Sequence, residues 1–269
     1  PDFTDAHNNI GITLQSLGQF DEASESYEKA IAINNEHTQA LNNLGNCNNE
    51  CGQFAEAVNF YRQALNINPN FEDAYYNLGT ALYALGQNDN AINSYNNLLS
   101  INPDYADAHN NLGLILQELG QSDEAFNAYV NALAIEPNNA QFHRNLSTLK
   151  KYKEGDTQLA QMQSLLSKSN IGQKDCISLS FALSKAYGDL GKVKELFKVL
   201  NEGNLLRKEE LNYSIESDLN KHAIFRKLFK SATTKSSSYD SQTISPIFIV
   251  GMPRSGTSLV EQIISSHHK

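Results

Sequence analysis

The chain has 269 residues, and its 40% hydrophobic and 19% charged residues are typical of a folded protein rather than a disordered one. Residues 1–149 contain 18 acidic and three basic residues, whereas residues 150–269 contain 12 acidic and 18 basic residues. The second half is therefore the better candidate for an anionic ligand. The sequence has no apolar run of membrane-spanning length and no secretory signal. We expect neither a membrane nor a nucleic acid as a partner.

Small residues recur every 34 residues through the first half of the chain. Two glycine columns and one alanine column share this period: Gly11, Gly45, Gly79 and Gly113; Gly18, Gly52, Gly86 and Gly120; Ala23, Ala57, Ala91 and Ala125. A tyrosine column follows in the same phase, and prolines close three of the units: Tyr27, Tyr61, Tyr95 and Tyr129; Pro69, Pro103 and Pro137. Such a period is typical of stacked helix pairs.

Each column has a physical reason in a helix pair. The first glycine and the alanine predict that the two helices of a pair cross closely, and the tyrosine fills space between neighbouring pairs. The second glycine, in Leu-Gly-Gln, predicts a helix end with positive φ. The Asn-Pro step ends the second helix, because proline cannot continue it. One pair cannot bury its apolar face alone, so successive pairs are predicted to stack into a superhelix.

These columns resemble the tetratricopeptide repeat. The resemblance divides residues 1–149 into four full units and the start of a fifth at Ala140; the full units are 4–37, 38–71, 72–105 and 106–139. It implies a mostly α-helical fold, an α-solenoid. Because Pro1-Asp2-Phe3 matches the end of a unit, we expect further repeats to precede this sequence.

The regular pattern degenerates in the fifth unit. Ser147 replaces the first glycine, and Lys150-Lys151-Tyr152-Lys153 replaces the Leu-Gly turn. A further helix pair is predicted at 176–189 and 192–202, around the Leu190-Gly191 turn. Atypical units are expected where an array caps itself. The sequence therefore predicts capping helical pairs and then a polar linker without periodicity, at residues 150–230 and 231–245.

An asparagine column lies two residues before the first glycine column, at Asn9, Asn43, Asn77, Asn111 and Asn145. Inside a helix, asparagine is less favourable than alanine by roughly 0.5 kcal/mol. In tetratricopeptide repeats the first helix of each pair lines the concave surface, and the resemblance implies that this column faces inward. A row of amides there could bind the backbone of an extended peptide, as a similar ladder does in the O-GlcNAc transferase family. The alternative is that duplication copied an asparagine in an Asn-rich chain.

Two further sets of side chains are of metal-ligand type. Cys47 and Cys51 stand four residues apart, but no partner pair has ligand spacing nearby, and we interpret them and Cys176 as reduced thiols. Three histidines share a column, at His7, His109 and His143. Helices stack about 10 Å apart, too far for histidines of successive units to share a zinc ion at about 2 Å. We expect no metal, and the absence of disulfides and of a signal favours a cytoplasmic location.

The character of the sequence changes at Pro246. Ile247-Phe248-Ile249-Val250 predicts a buried parallel strand, and the apolar residues from Leu259 to Ile264 predict an amphipathic helix. The loop between them presents backbone N–H groups, hydroxyls and one positive charge to a phosphate, from Gly251, Pro253, Arg254, Ser255, Gly256, Thr257 and Ser258. Its spacing is that of a P-loop, but Thr257 stands where an NTPase has lysine. A purely structural strand, loop and helix is the alternative.

The stretch from Pro246 to Ile263 resembles the 5′-phosphosulfate-binding loop of sulfotransferases that use 3′-phosphoadenosine 5′-phosphosulfate (PAPS). The whole chain is similar in plan to bacterial fusions of tetratricopeptide repeats and a sulfotransferase domain. The resemblance implies that residues 246–269 begin a P-loop-like α/β sulfotransferase domain and that the loop residues bind PAPS. Arg254 would be the catalytic residue that stabilises charge as the sulfuryl group leaves. The base, the 3′-phosphate site and the acceptor pocket would lie beyond Lys269, so we expect this fragment alone to be inactive.

Three functions are compatible with these features. The first is a sulfotransferase whose repeat array binds a protein or peptide acceptor and whose α/β domain transfers a sulfuryl group from PAPS to a hydroxyl. The second is a non-enzymatic protein-interaction scaffold, and the third is a P-loop kinase or NTPase that has lost its lysine. Sequence beyond Lys269 would separate them, since only a sulfotransferase needs an acidic base and a later Arg/Ser site for the 3′-phosphate.

Overall fold

The computed structural model describes residues 3–168 and 170–214, together with residues 216, 219–220 and 223–224. Within residues 3–168 and 170–214 all regular structure is α-helical, in twelve helices: α1 Thr4–Ser16, α2 Phe20–Ile33, α3 Thr38–Glu50, α4 Phe54–Ile67, α5 Glu72–Ala84, α6 Asn88–Ile101, α7 Ala106–Glu118, α8 Ser122–Ile135, α9 Ala140–Leu149, α10 Thr157–Leu166, α11 Gln173–Asp189 and α12 Val193–Glu210. The predicted mostly α-helical fold is confirmed. None of the described helices combines the length and the apolar character needed to cross a bilayer.

The described helices belong to one compact unit, Pro1–Tyr213. The predicted linker and the predicted strand, loop and helix of residues 246–269 lie outside the described residues. The proposed domain boundaries after residues 149, 230 and 245 therefore remain predictions.

The helices stack as consecutive pairs. In the first four pairs each first helix packs against its second helix, which then packs against the first helix of the next pair. First helices of successive pairs also meet, α1 with α3, α3 with α5 and α7 with α9, whereas the described second helices approach one another less closely. The array therefore curves toward its first helices, as a solenoid of wedge-shaped pairs does. We call the surface formed by α1, α3, α5, α7 and α9 the inner face.

The tyrosine column forms the centre of each repeat. All four rings are at most 1% exposed: Tyr27, Tyr61, Tyr95 and Tyr129. Each ring lies against the first glycine of its own pair, so that a Cβ added at Gly45 would stand 2.5 Å from Cε1 of Tyr61. Tyr27 also shares a buried cluster with Leu44 and Cys47 of the next pair. The tyrosines thus fill the space between pairs, as predicted, and they are also the reason that the first glycine must be small.

The second glycine ends the first helix of each regular pair, as predicted. The angle φ lies between +71° and +77° at Gly18, Gly52, Gly86 and Gly120. A side chain added at any of these positions would meet no heavy atom within 4 Å. The backbone conformation, and not lack of space, therefore requires glycine here.

The last four helices depart from the repeat. Helices α9 and α10 have 10 residues each, where the regular pairs have 13 and 14. Side-chain caps begin both helices, because Asn139 accepts from the amides of Gln141 and Phe142 and Asp156 accepts from the amide of Gln158. The predicted pair around the Leu190-Gly191 turn is present as α11 and α12, and both helices are longer than predicted.

Candidate functional site

The predicted asparagine column lies on the first helices of five successive pairs. We call its members the asparagine ladder: Asn9, Asn43, Asn77, Asn111 and Asn145. Asn9 is exposed, Asn145 is only 8% exposed, and the other three are half-buried. The four members after Asn9 bond through their side chains to a side chain of the preceding first helix, so the ladder runs across the inner face.

The ladder amides join successive repeats by hydrogen bonds. Three bonds of one kind run from a ladder Nδ2 to an asparagine Oδ1 located 35 residues earlier: Asn43 to Asn8 (3.1 Å), Asn77 to Asn42 (3.0 Å) and Asn145 to Asn110 (2.7 Å). The three acceptor residues are between 4% and 6% exposed, so these bonds satisfy buried amides. The ladder therefore stabilises the stacking of the pairs, a role that its sequence spacing did not predict.

Part of the ladder remains available to a ligand. At Asn43 and Asn77 the bond between repeats uses one N–H, and no other described residue donates to Oδ1. Each of these amides keeps one donor and one acceptor, which is the pair that a peptide backbone requires. At Asn145 the Oδ1 also accepts from Nε2 of Gln141 at 2.8 Å, so both ends of its amide are occupied. Asn145 is therefore the ladder member least accessible to a ligand.

The third repeat interrupts this pattern at Tyr76. That tyrosine occupies a column that holds asparagine in the other regular repeats, at Asn8, Asn42 and Asn110. Asn111 donates to the hydroxyl of Tyr76 at 3.2 Å and to that of Tyr95 at 3.4 Å. The ring of Tyr76 stacks on Tyr105, with centroids 5.3 Å apart and planes at 29°, and lies 6.0 Å from the ring of Tyr95. The periodic columns did not predict this cluster; its only sequence signal is one tyrosine in an asparagine column.

The buried tyrosines of the second helices bond to polar residues of the first helices through their hydroxyls. The partners are Gln15 for Tyr27 (2.9 Å), Asn46 for Tyr61 (2.8 Å), Thr80 for Tyr95 (3.1 Å) and Gln117 for Tyr129 (2.9 Å). Burial is the main cause that raises the pKa of Tyr95 and Tyr129 to about 12. These hydroxyls therefore remain protonated at neutral pH.

The regular repeats carry a strong excess of negative charge. Residues 38–139 contain 11 acidic residues and a single base, Arg62, which is exposed on the second helix α4. Asp73 and Asp107 are exposed in the first turns of α5 and α7, two helices of the inner face. Burial, followed by the charge of Glu136, raises the pKa of Asp107 above its usual value. Such a surface favours a neutral or basic ligand over an acidic one.

The three cysteines differ in their burial, and His143 lies in the interior of the described part of the chain. Cys47 is buried, Cys51 is exposed and Cys176 is half-buried. His143 is 1% exposed, and its Nε2 lies 2.9 Å from the carbonyl oxygen of Pro137. The described residues include no group of three or more His, Cys, Asp or Glu arranged to bind a metal ion.

The predicted phosphate loop lies outside the described residues. This concerns Gly251, Pro253, Arg254, Ser255, Gly256, Thr257 and Ser258. Their assignment to PAPS, and the catalytic role of Arg254, therefore remain predictions.

Family comparisons match both parts of the chain. Models of the tetratricopeptide repeat match residues 4–37, 49–86, 79–120 and 106–139. The model of the sulfotransferase family matches residues 246–269. These matches support a fusion of tetratricopeptide repeats with a segment of the sulfotransferase family, as the resemblance implied. The repeats indicate a protein-interaction scaffold with a protein partner, and the short C-terminal match supports a sulfotransferase-like protein.

Individual proteins share the repeat fold. MamA (residues 41 to the end) from Desulfovibrio magneticus RS-1 aligns with a TM-score of 0.54 at 20% identity, over 74% of this chain and 97% of its own. The tetratricopeptide-repeat protein TTC0263 of Thermus thermophilus aligns with a TM-score of 0.53 at 24% identity, over 67% of this chain and 98% of its own. An uncharacterized protein of Aquifex aeolicus (strain VF5) is 32% identical over 126 residues, which span 44% of this chain and 16% of that protein.

Proposed function

We propose that this chain is part of a sulfotransferase whose repeat array binds a protein or peptide acceptor and whose C-terminal domain transfers a sulfuryl group from PAPS to a hydroxyl of that acceptor. One observation carries the proposal: the sulfotransferase match covers the glycine-bounded loop of residues 251–258. In the transfer, the acceptor oxygen forms a bond to sulfur while the bond from sulfur to the 5′-phosphate oxygen breaks. The hydroxyl proton passes to a base, and adenosine 3′,5′-bisphosphate leaves.

The loop residues have the chemistry that a phosphosulfate requires. Backbone N–H groups at the predicted helix start, with the hydroxyls of Ser255, Thr257 and Ser258, are the donors that an anion requires. Arg254 contributes a positive charge with two parallel donors and stabilises the charge that develops on the leaving oxygen. Thr257 in place of the NTPase lysine disfavours hydrolysis of ATP or GTP.

Calorimetric titration with adenosine 3′,5′-bisphosphate tests the nucleotide site. We expect Arg254→Ala in the protein that carries this chain to weaken binding about tenfold or more, because a hydrogen bond to a charged group is lost. Arg62→Ala removes the same charge from the exposed surface of α4 and should leave the affinity unchanged. Equal affinities of the wild type and Arg254→Ala would contradict the assignment of the loop.

Peptide binding by the ladder is tested by removing the amides of Asn43, Asn77 and Asn111 together. We expect the triple alanine variant to bind an extended peptide about tenfold more weakly, because Asn43 and Asn77 each lose a donor and an acceptor that no other described residue uses. Asn8→Ala with Asn42→Ala is the control, since it breaks the bonds that Asn43 and Asn77 make between repeats but removes only buried amides. If both variants lose affinity equally, the ladder acts through stacking and not through contact with the peptide.

The second candidate is a protein-interaction scaffold without enzymatic activity. The tetratricopeptide fold of all described pairs from α1 to α8 favours it. Peptide binding by the array, combined with no binding of the bisphosphate, would support the scaffold over the sulfotransferase.

A further inference from the structure

The third repeat carries a feature that the ladder does not explain: a stacked tyrosine pair on the inner face. Tyr76 belongs to α5, and Tyr105 is the residue that precedes the first turn of α7. Their ring centroids are 5.3 Å apart with planes at 29°. Both rings are only half-buried, unlike the closed tyrosine column behind them. An aromatic pair of this kind is accessible to a ligand.

Two carboxylates lie beside this pair. Asp73 is one helical turn before Tyr76 on α5, and Asp107 is two residues after Tyr105 on α7. Burial and then the charge of Asp73 are the leading causes that raise the pKa of Tyr105 to about 12, with a smaller contribution from Asp107. After burial, the charge of Asp107 also raises the pKa of Tyr76. The negative charges therefore act on both rings, and no base of residues 38–139 other than Arg62 is present to offset them.

Tyr76 also changes how the third repeat meets the fourth. The first helices α5 and α7 approach one another less closely than α1 and α3, α3 and α5, or α7 and α9. Asn111 reaches the tyrosine hydroxyls at 3.2 and 3.4 Å, whereas the bonds between asparagines in the other rows measure 2.7 to 3.1 Å. The junction between α5 and α7 thus has a different bond from the other rows of the ladder, and the tyrosine pair lies at it.

We propose that Tyr76, Tyr105, Asp73 and Asp107 form a subsite of the inner face that binds the cationic side chain of an arginine or lysine in an extended polypeptide. Ring faces attract a cation, and the carboxylates form ion pairs with it. Arginine is favoured over lysine, because its planar guanidinium also stacks on an aromatic ring. The subsite rests on the proposed binding of a peptide by the array and is independent of sulfuryl transfer. It selects a cationic side chain, which the uniform amides of the ladder cannot do.

Fluorescence anisotropy with two labelled peptides tests the subsite on the 269-residue chain. Both peptides consist of serine, alanine and threonine; one has a single central arginine, and the other has citrulline, its uncharged isostere, at the same place. We expect the arginine peptide to bind about fivefold to tenfold more tightly at low salt, as a cation–π contact with a partly exposed ion pair provides. Asp73→Asn with Asp107→Asn should remove this preference and leave the affinity for the citrulline peptide within about twofold.

Two further variants separate the subsite from general charge and from folding. Tyr76→Asn introduces asparagine, which the other regular repeats have at this position, and keeps an acceptor for Asn111. The array should therefore stay folded, while the preference for the arginine peptide should fall. Asp123→Asn with Glu124→Asn makes the same charge change at exposed positions of the second helix α8 and should leave the preference intact. Circular dichroism of each variant checks the fold.

The possible outcomes are distinct. Equal affinity of the wild type for both peptides overturns the subsite. If both peptides nevertheless bind, the proposed binding of a peptide by the ladder is not contradicted. An arginine preference that survives Asp73→Asn with Asp107→Asn also overturns it. Failure of both peptides to bind overturns both the subsite and the acceptor-binding role of the array. Failure to bind the bisphosphate overturns only the sulfotransferase.

Discussion

The regular pairs α1–α8 and the final helices α9–α12 belong to one compact unit but are stabilised by different contacts. In the regular pairs the same contacts recur in each unit: a tyrosine ring on a glycine, and an amide that donates to the preceding unit. Ion pairs are nearly absent from the described residues of α1–α8, where the single ion pair joins His37 and Asp5. Repetition of neutral contacts therefore suffices to stack an acidic array.

The final helices add ion pairs and local caps to an apolar cluster of their own. Four ion pairs lie between Lys150 and Glu210: Lys150–Asp156, Lys185–Asp189, Lys192–Glu154 and Arg207–Glu210. In the pair α11 and α12, the small residue at the close contact between the helices also belongs to the second helix and not to the first. A Cβ added at Gly203 of α12 would stand 2.9 Å from Cβ of Ser180 on α11. A unit without identical neighbours needs contacts of its own, and here these are a separate buried apolar cluster, which includes Met162 and Leu183, together with the ion pairs.

The largest expected effect is that of Gly45→Ala. The added methyl would stand 2.5 Å from a ring atom of Tyr61, which is 1% exposed and cannot withdraw. We expect a loss of about 1–3 kcal/mol in the free energy of unfolding, as for other overpacked cores. Ser147→Ala, at the equivalent position of α9, should change that free energy by less than about 1 kcal/mol. Urea denaturation measures both, and equal losses would show that the two regions do not differ in this contact.

Alanine in place of the second glycine should lower the free energy of unfolding by a smaller amount, and by a similar amount in both regions. The angle φ is +71° at Gly86 and +68° at Gly191. Alanine is strained in this conformation by about 1–2 kcal/mol, and neither site has an atom within 4 Å that would add a clash. Gly86→Ala and Gly191→Ala should therefore lower the unfolding free energy by similar amounts, and asparagine variants by less. A clear difference between the two sites would mean that helix ends also distinguish the regions.

The smallest effect concerns the pH dependence of stability at His143. Burial is the main cause that lowers the pKa of His143 in the folded protein, and the nearby charge of Lys150 lowers it further. The neutral ring thus contributes stability that is fully present above the unfolded pKa of about 6.5 and is lost as the pH falls from there toward the folded value. His143→Leu, which introduces the residue found at Leu41, should flatten the loss of stability between about pH 6.5 and pH 5. Parallel pH profiles of wild type and variant would contradict this.

Much of the described fold follows from local rules that a sequence displays. The second glycine column predicts positive φ because only the backbone of that residue is involved, and the structure agrees at every regular unit. The first glycine column predicts a close contact, but the partner ring at Tyr61 is 16 residues away, so spacing alone does not identify it.

The candidate site is less predictable, for a physical reason. The position of Asn77 on a first helix follows from periodicity, whereas its bond to Asn42 depends on how far one pair is translated and rotated against the next. The tyrosine pair depends in addition on Tyr76 breaking its column and on Tyr105 in a loop, and no periodic rule links those two positions.

The bonds of the ladder have a consequence for the length of the array. The ladder bond joins two asparagines both between α1 and α3 and between α3 and α5, so a unit of 34 residues could be inserted or deleted there with each ladder bond still formed. Gene duplication could thus lengthen the solenoid without compensating substitutions. The junction after Tyr76 is different, because replacing that unit with another repeat would remove the aromatic pair. Insertion of repeats on either side of it would change the position of the pair along the inner face. The neighbouring repeats would remain interchangeable.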